Sequence, residues 1–292
     1  MTISVIICTR NRGALIEATL QSIVDGTRQP DELLVVDQSD GTDTRSAVEQ
    51  FAARVKEVCY LPTPTRGLSR ARNVGLEQSQ GELIVFTDDD VVAERDWLAE
   101  IAQEFDTYPR LAFLFGTVLP PDGHDWETEF VPYSRVSTKR PVRWFPPKAF
   151  GGMGANMALR RTTFERVGGF DTALGAGTGV AGEDFEYALR CLCHHTSLEM
   201  HTLDEARVIH HAGARSGDEY YTFVHQVNGT GMGQFLAHLV RGGRGPRYRF
   251  KVLQALAQPL GSFLKALARG RKPSGLRTYS YCLQGFARGL RR

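Results

Sequence analysis

Four apolar residues and a threonine run straight into three carboxylates at Leu83-Ile84-Val85-Phe86-Thr87-Asp88-Asp89-Asp90. An unbroken apolar run of this length, entered from Gly81, is the pattern of a strand buried on both faces of a parallel sheet. In open α/β sheets, ligands gather at the carboxyl ends of the strands, where the loops part. Three adjacent acids at that edge repel one another unless a cation neutralises them, and a divalent metal with oxygen ligands does so. A competing reading makes the acids a cap on a helix starting near Glu94. One aspartate serves a cap; three exceed what it needs.

The flanking sequence supplies the rest of such a sheet. Ile3 to Cys8 and Leu33 to Val36 are two further buried-strand runs, the second closing on Asp37. Val55 to Leu61 is a weaker third, stopped by Pro62-Thr63-Pro64. Between them lie helical stripes: Leu15, Leu20, Ile23 and Val24; Ala47, Val48, Phe51 and Ala52; and Ser69 to Gln78. A fourth helix carries Trp97, Leu98, Ile101 and Phe105. Strands alternating with helices predict βαβ units and a mostly parallel sheet. The alternation stops after Leu111 to Phe115. A proline- and aromatic-rich loop follows over 120–150, long enough to expect a functional role. Gly182 to Cys193 then reads as a helix opened by Glu183 and Asp184, acids that suit its positive end. Ala206 to Ile209 is a short strand leading to His210-His211.

Charge divides the chain unevenly. From Arg241 to Arg292 there are thirteen Lys/Arg and no Asp or Glu, which leaves 22 basic against 33 acidic residues in the first 240. The tail therefore calls for an anionic partner. Its stripes, Phe250 to Leu267 and then Leu276, Tyr279, Leu283, Phe286 and Leu290, fit either an interfacial membrane helix or packing on the core. No aromatic-basic stacking module points to nucleic acid. Five cysteines without a CxxC pair argue against a disulfide scaffold and for a reducing, cytoplasmic setting. Met1 leads directly into a strand pattern with no signal-peptide signature, and no apolar run approaches the ~20 residues of a spanning helix.

Neither a GxGxxG nor a GxxxxGK[ST] loop follows the first strand, so glycine-loop binding of phosphate is not expected. The ordered motifs instead resemble family 2 inverting glycosyltransferases of the GT-A fold, which use nucleotide-diphospho-sugars. They are Val5 to Asn11, Leu34 to Asp37, Gly67 to Gly75, Gly81-Glu82 with Phe86 to Asp90, Gly154 to Arg161, Val167 to Asp171, Gly182 to Asp184, and Val208 to His210. The resemblance covers about residues 2 to 215 and implies a Rossmann-like, mostly parallel α/β sheet flanked by helices. A catalytic domain would then span 1–215, with a nucleotide-binding half (1–118) and an acceptor half (119–215). Residues 216–292 would form a basic helical appendage.

The resemblance also implies roles. Asp37 would accept the N3–H of a uracil, a fitting task for a strand-end carboxylate, though a helix cap reads as well. Thr9 and Arg72 would line the nucleotide pocket; for Arg72 a surface ion pair is the rival. Asp88 would face ribose and metal, and Asp90 would bind the metal, with His210 a further ligand and His211 its rival one residue on. The metal would be Mn²⁺ or Mg²⁺, an imidazole favouring Mn²⁺. Asp89 and Glu183 join the substrate-binding set, Asn156 would line the donor-sugar pocket or serve a turn, and Asp184 would be the general base. A simple acidic first turn remains the alternative for Glu183 and Asp184. The implied reaction moves a sugar from a nucleotide diphosphate, UDP foremost, to a hydroxyl of a glycan or lipid-linked glycan. The setting is cytoplasmic, and a tail that meets membrane rather than packing on the core would place the protein on the inner face of the plasma membrane with a polyprenyl-linked acceptor. Processive relatives carry Gln-x-x-Arg-Trp and membrane spans; neither occurs here, which implies single transfer. The rivals are a sugar nucleotidyltransferase and a non-catalytic nucleotide-sugar-binding or membrane-scaffold protein.

Overall fold

The computed structural model describes the chain except residues 52, 125–128, 143–151, 195–197, 212–214, 217–218, 220–221, 223–225, 227, 242–262, 264–267, 270–275 and 292. Four parallel strands carry the nucleotide-binding topology: β1 (Ile3–Thr9), β2 (Glu32–Asp37), β3 (Val58–Pro62) and β4 (Leu83–Asp88). They lie in the order β3-β2-β1-β4, with Cys8 beside Asp88 and Thr9 beside Asp37. That register sets the ends of β1, β2 and β4 at one edge, where Thr9, Asp37 and Asp88 all emerge. The helices α1 (Gly13–Val24), α2 (Asp43–Glu49) and α3 (Leu68–Gln78) make the crossovers. Gly75 lets α3 lie close on the sheet, because a Cβ there would press into Ile6.

The second half departs from simple alternation. After Asp90 comes a three-residue strand, β5 (Val91–Ala93), and only then α4 (Trp97–Thr107). The helix expected near Glu94 begins three residues later, and Asp96 at its cap position makes no side-chain cap bond. The acidic triplet is therefore no helix cap. Beyond β6 (Leu111–Leu119) and β7 (Glu129–Phe130), β8 (Asn156–Arg160) inserts antiparallel between β4 and β6. This strand was not expected, because Asn-Met-Ala-Leu-Arg is too short and too weak in β-formers to announce one. α5 (Arg161–Val167) and α6 (Glu183–His194) follow. β9 (Glu199–His210) is three times the predicted length and runs parallel to β6 with two register shifts. The eight strands are ordered β3-β2-β1-β4-β8-β6-β9-β5, and β10 (Arg215–Ser216) pairs with β7 apart from them. Most of the expected loop at 120–150 lies outside the described residues.

Two apolar layers sandwich this sheet. Ile16, Leu20, Ile23, Trp97, Ile101 and Phe105 fill one face; Ala71, Leu76, Phe170, Tyr187 and Ala188 fill the other. A third cluster joins α6 to α7 (Asn228–Arg241) and α8 (Leu276–Arg291), through Leu189, Phe235, Leu239 and Cys282. The last two helices touch backbone to backbone: a Cβ on Gly233 would strike the carbonyl of Cys282, and one on Gly285 the carbonyl of Thr230. Of the 276–290 stripe, Phe286 packs on this cluster, while Leu276, Leu283 and Leu290 are exposed. The earlier stripe, apart from Phe263, lies outside the described residues. No helix among the described residues is long and apolar enough to cross a membrane.

A candidate active site at the acidic sheet edge

Burial of charge defines the site. Asp89, Asp90, Glu183, Asp184 and Arg72 are all buried, and Asp88 is half-buried. Buried carboxylates must find partners, protons or a metal, and here the partners are few. Thr9 Oγ1 donates to Asp89 Oδ2 at 2.6 Å. Arg12 Nη1 bridges Asp89 Oδ1 at 3.0 Å and Asp90 Oδ2 at 2.8 Å. Arg72 Nη1 donates to Glu183 Oε1 at 2.8 Å, and its Nη2 lies 3.7 Å from Asp88 Oδ1. Five carboxylates thus face two guanidinium groups, which leaves a net negative site.

Arg72 is no surface ion pair. Its side chain is 3% exposed and stacks within 5.9 Å of Phe86 and 5.5 Å of Phe170. Gly154 passes over it with no room for a Cβ, and donates its own N–H to Asp184 Oδ2 at 2.8 Å. Asp184 Oδ1 accepts the N–H of Phe185 at 2.8 Å. Glu183 and Asp184 do sit in the first turn of α6, but as buried groups rather than a solvated acidic turn. Burial, reinforced by Glu183 and opposed by Arg72, pushes the Asp184 carboxyl up to about 7. Burial also raises Asp88 to about 7, against the pull of Arg72 and with Asp90 and Asp89 adding to the rise. Such displaced carboxylates cluster at functional sites.

Asp88, Asp90 and His210 each bring one ligand atom to a group in which all lie within 4.8 Å of one another. β9 delivers His210 because Val91 pairs with it across β5. His210 Nε2 is 3.4 Å from Asp90 Oδ1, and the buried Nδ1 has no hydrogen-bond partner. A carboxylate pair with one imidazole and an unsatisfied ring nitrogen is a fitting donor set for Mn²⁺ or Mg²⁺. His211 is exposed, and its backbone N–H donates to Asp90 O at 2.9 Å.

Two expected residues lie differently. Asp37 caps no helix: α2 starts six residues later, while Asp37 Oδ1 accepts the Ser39 N–H and Oδ2 the Tyr60 hydroxyl, each at 2.8 Å. Its remaining lone pairs stay at the β2 edge. Asn156 is not presented to a sugar pocket at all. It is fully buried; its Oδ1 accepts the Trp97 indole N–H, and its Nδ2 donates to the carbonyls of Thr117 and Ala206, all at 2.9 Å. The amide is a brace between α4, β6 and β9. Asn156→Ala leaves three buried groups unpaired at about 1–3 kcal/mol each. The expected result is a loss of about 3 kcal/mol in urea unfolding.

Arg12 is the site residue that sequence reading passed over without a role. The signal was available: β1 and β4 are adjacent, and the first cation in the loop after β1 faces whatever follows β4.

A curled, mostly parallel sheet with its acids gathered at this edge defines an α/β protein of the GT-A type. The chain belongs to glycosyltransferase family 2: the model described as Glycosyl transferase family 2 matches residues 4–168, more than half of the chain. Among curated proteins it is similar to the glucosyl-dolichyl phosphate glucuronosyltransferase of Haloferax volcanii, 28% identical over 184 residues that cover 60% of this chain and 58% of that protein. The matched stretch spans about half to three fifths of the length of the curated relatives heading the comparison. Among solved structures, the S. aureus TarS 1–349 complex with UDP aligns with a TM-score of 0.60 and 19% identity, over 100% of this chain and 89% of that one. The mannosyltransferase PcManGT from Pyrobaculum calidifontis, in complex with GDP-Man and Mn²⁺, gives a TM-score of 0.60 and 19% identity, over 99% and 86%. These structural likenesses show the fold.

Proposed function

We propose that the chain is a metal-dependent, inverting glycosyltransferase that moves one sugar from a nucleotide diphosphate, UDP foremost, to a hydroxyl of a glycan or lipid-linked acceptor. The single observation that carries the reading is the Asp88, Asp90 and His210 cluster standing beside a buried carboxyl raised to about 7. A family that includes nucleotide-sugar transferases makes a nucleotidyltransferase the weaker alternative. Five charged groups placed for work count against a non-catalytic scaffold.

In this reading residues 1–118 bind the donor nucleotide, 119–215 present the acceptor, and 216–292 are an appended helical region. Asp37 accepts from the base, Thr9 and Asp89 form the floor beside it, and Asp88 faces the ribose. Asp88, Asp90 and His210 would hold the cation. The chemistry a bound divalent ion supplies there is neutralisation of the diphosphate as the leaving group gains charge. Arg72 holds Glu183 so that the turn bearing Asp184 keeps its place. Asp184 takes the proton from the acceptor hydroxyl as that oxygen attacks the anomeric carbon opposite the diphosphate. One base suffices for inversion. The relative acting on a glucosyl-dolichyl phosphate supports a lipid-linked acceptor. The setting is the cytoplasmic face of a membrane, met through residues 241–292.

A panel of UDP- and GDP-sugars tests this by thermal shift, since a ligand of the folded state alone raises the melting point by mass action. UDP-sugars with Mn²⁺ should give the largest shift and slow UDP release. No shift with any nucleotide sugar, with or without metal, overturns the proposal.

A further inference from the structure

α8 has two faces of different character. The face toward α7 carries Cys282, Gly285 and Gly289, and backbone fills the gap that side chains would otherwise occupy. Leu276, Leu283 and Leu290, spaced seven residues apart, form a row at one edge of the exposed arc and are 50%, 44% and 45% exposed. Arg291 is exposed beside this row, and Arg288 is exposed farther round the helix. Among the described residues the packing on α7 runs through Cys282, Gly285 and Gly289, and the leucine row lies outside that contact.

We propose that this outward face of α8 docks on an anionic lipid bilayer. Leucines edged by arginines suit the boundary between acyl chains and headgroups, where the apolar row buries and the cations meet phosphate. Charge decides between occupants. The region 241–292 carries thirteen cations and no acid, so a second copy would bring like charge against like. Nucleic acid would satisfy the arginines but leave the leucines in water. An anionic membrane satisfies both. Docking there also orients the catalytic half: α7, which α8 covers, packs with Leu174 and Leu189 on the loop and helix that carry Asp184. The inference extends the membrane part of the proposed function and none of its chemistry, so vesicle binding can fail while transfer stands.

The full chain is mixed with sedimentable vesicles of phosphatidylcholine alone, or of an equimolar mix with phosphatidylglycerol. It should partition into the mixed vesicles at about 0.1 M salt, not into pure phosphatidylcholine, and leave them at about 0.5 M. The triple variant L276S/L283S/L290S, with folding confirmed by a cooperative melting transition, should bind at least about tenfold less. R288A/R291A should bind less and with a flatter salt dependence. Equal binding by the triple variant overturns the proposal. So does failure of the wild type to bind anionic vesicles, or a wild-type dimer by light scattering that the triple variant abolishes.

Discussion

Replacing Asp184 by Asn is expected to lower kcat by about 10²–10⁴, the usual worth of a general base, with donor and Mn²⁺ affinity within about twofold of wild type. The substitution keeps the size of the side chain and can still accept one of the two backbone N–H bonds from Gly154 and Phe185. The proton-accepting function is removed together with one backbone N–H bond. The pH profile supplies the second readout. Burial holds the carboxyl near 7, so the base is protonated and idle in acid. Wild-type kcat/KM should fall about tenfold per pH unit below about 7 and level off above it, and the residual activity of Asp184→Asn should lack that limb. Stability should move the other way. The folded protein holds a proton on Asp184 that the unfolded chain releases near its ordinary 3.8. The stabilisation tied to neutral Asp184 is full below pH 3.8 and lost as pH rises through about 7. A carboxyl kept costly for stability and useful for chemistry is the pattern of a site under functional constraint. A wild-type profile flat from pH 5 to 8 would remove Asp184 from this role.

The second large effect concerns the cation. Asp90→Ala should weaken Mn²⁺ binding, read by calorimetry on the protein without donor, by more than about 100-fold. Loss of a group that merely supports a ligand already costs about 10–100-fold. Asp90 is held at both ends: Arg12 takes Oδ2, and Oδ1 faces His210. One oxygen is thus aimed by an ion pair while the other is left toward the imidazole. His210→Ala should do something more selective. Removing the one nitrogen donor among oxygens should shrink the preference for Mn²⁺ over Mg²⁺, because Mg²⁺ gains little from imidazole. Chelation should abolish UDP release from wild type and restore it on adding back Mn²⁺. Unchanged Mn²⁺ affinity in both variants would move the cation elsewhere.

Much of this molecule was legible one residue at a time. Ile3 to Cys8, Leu33 to Val36 and Leu83 to Phe86 are apolar without alternation, and each is a strand buried on both faces. The missing alternation excludes a half-exposed strand, and the short length with β-branched residues excludes a buried helix. The gathering of Thr9, Asp37 and Asp88 at one edge also followed from chain order, because parallel strands joined by helices end on the same side. β8 was not legible. Its five residues become a strand only because β4 and β6 flank them, a pairing no local pattern reports. The short strand β5 was hidden likewise, and with it the reason His210 comes to the acids rather than His211.

Asn156 shows the limit of motif reading. Its place in Gly154-Ala155-Asn156 suggested contact with substrate, yet the site's geometry needs Gly154 for its bare backbone, and the core needs Asn156 for its amide. Which neighbour an amide serves depends on Trp97, Thr117 and Ala206, drawn from three distant segments. For Arg72 the sequence left a pocket role and a surface ion pair both open, and Phe86, Phe170 and Gly154 closing around it remove the second.

The amino-acid order by itself determined the layered α/β fold and the collection of carboxylates at a strand edge. Hydrophobic burial along a strand and the handed βαβ crossover act locally and leave a periodic trace in sequence. Only the tertiary structure decided which of those acids lies buried beside a cation, which meets His210, and which is driven to hold its proton. Those are matters of desolvation and of charges brought close from remote parts of the chain, and neither leaves a mark on the residues themselves.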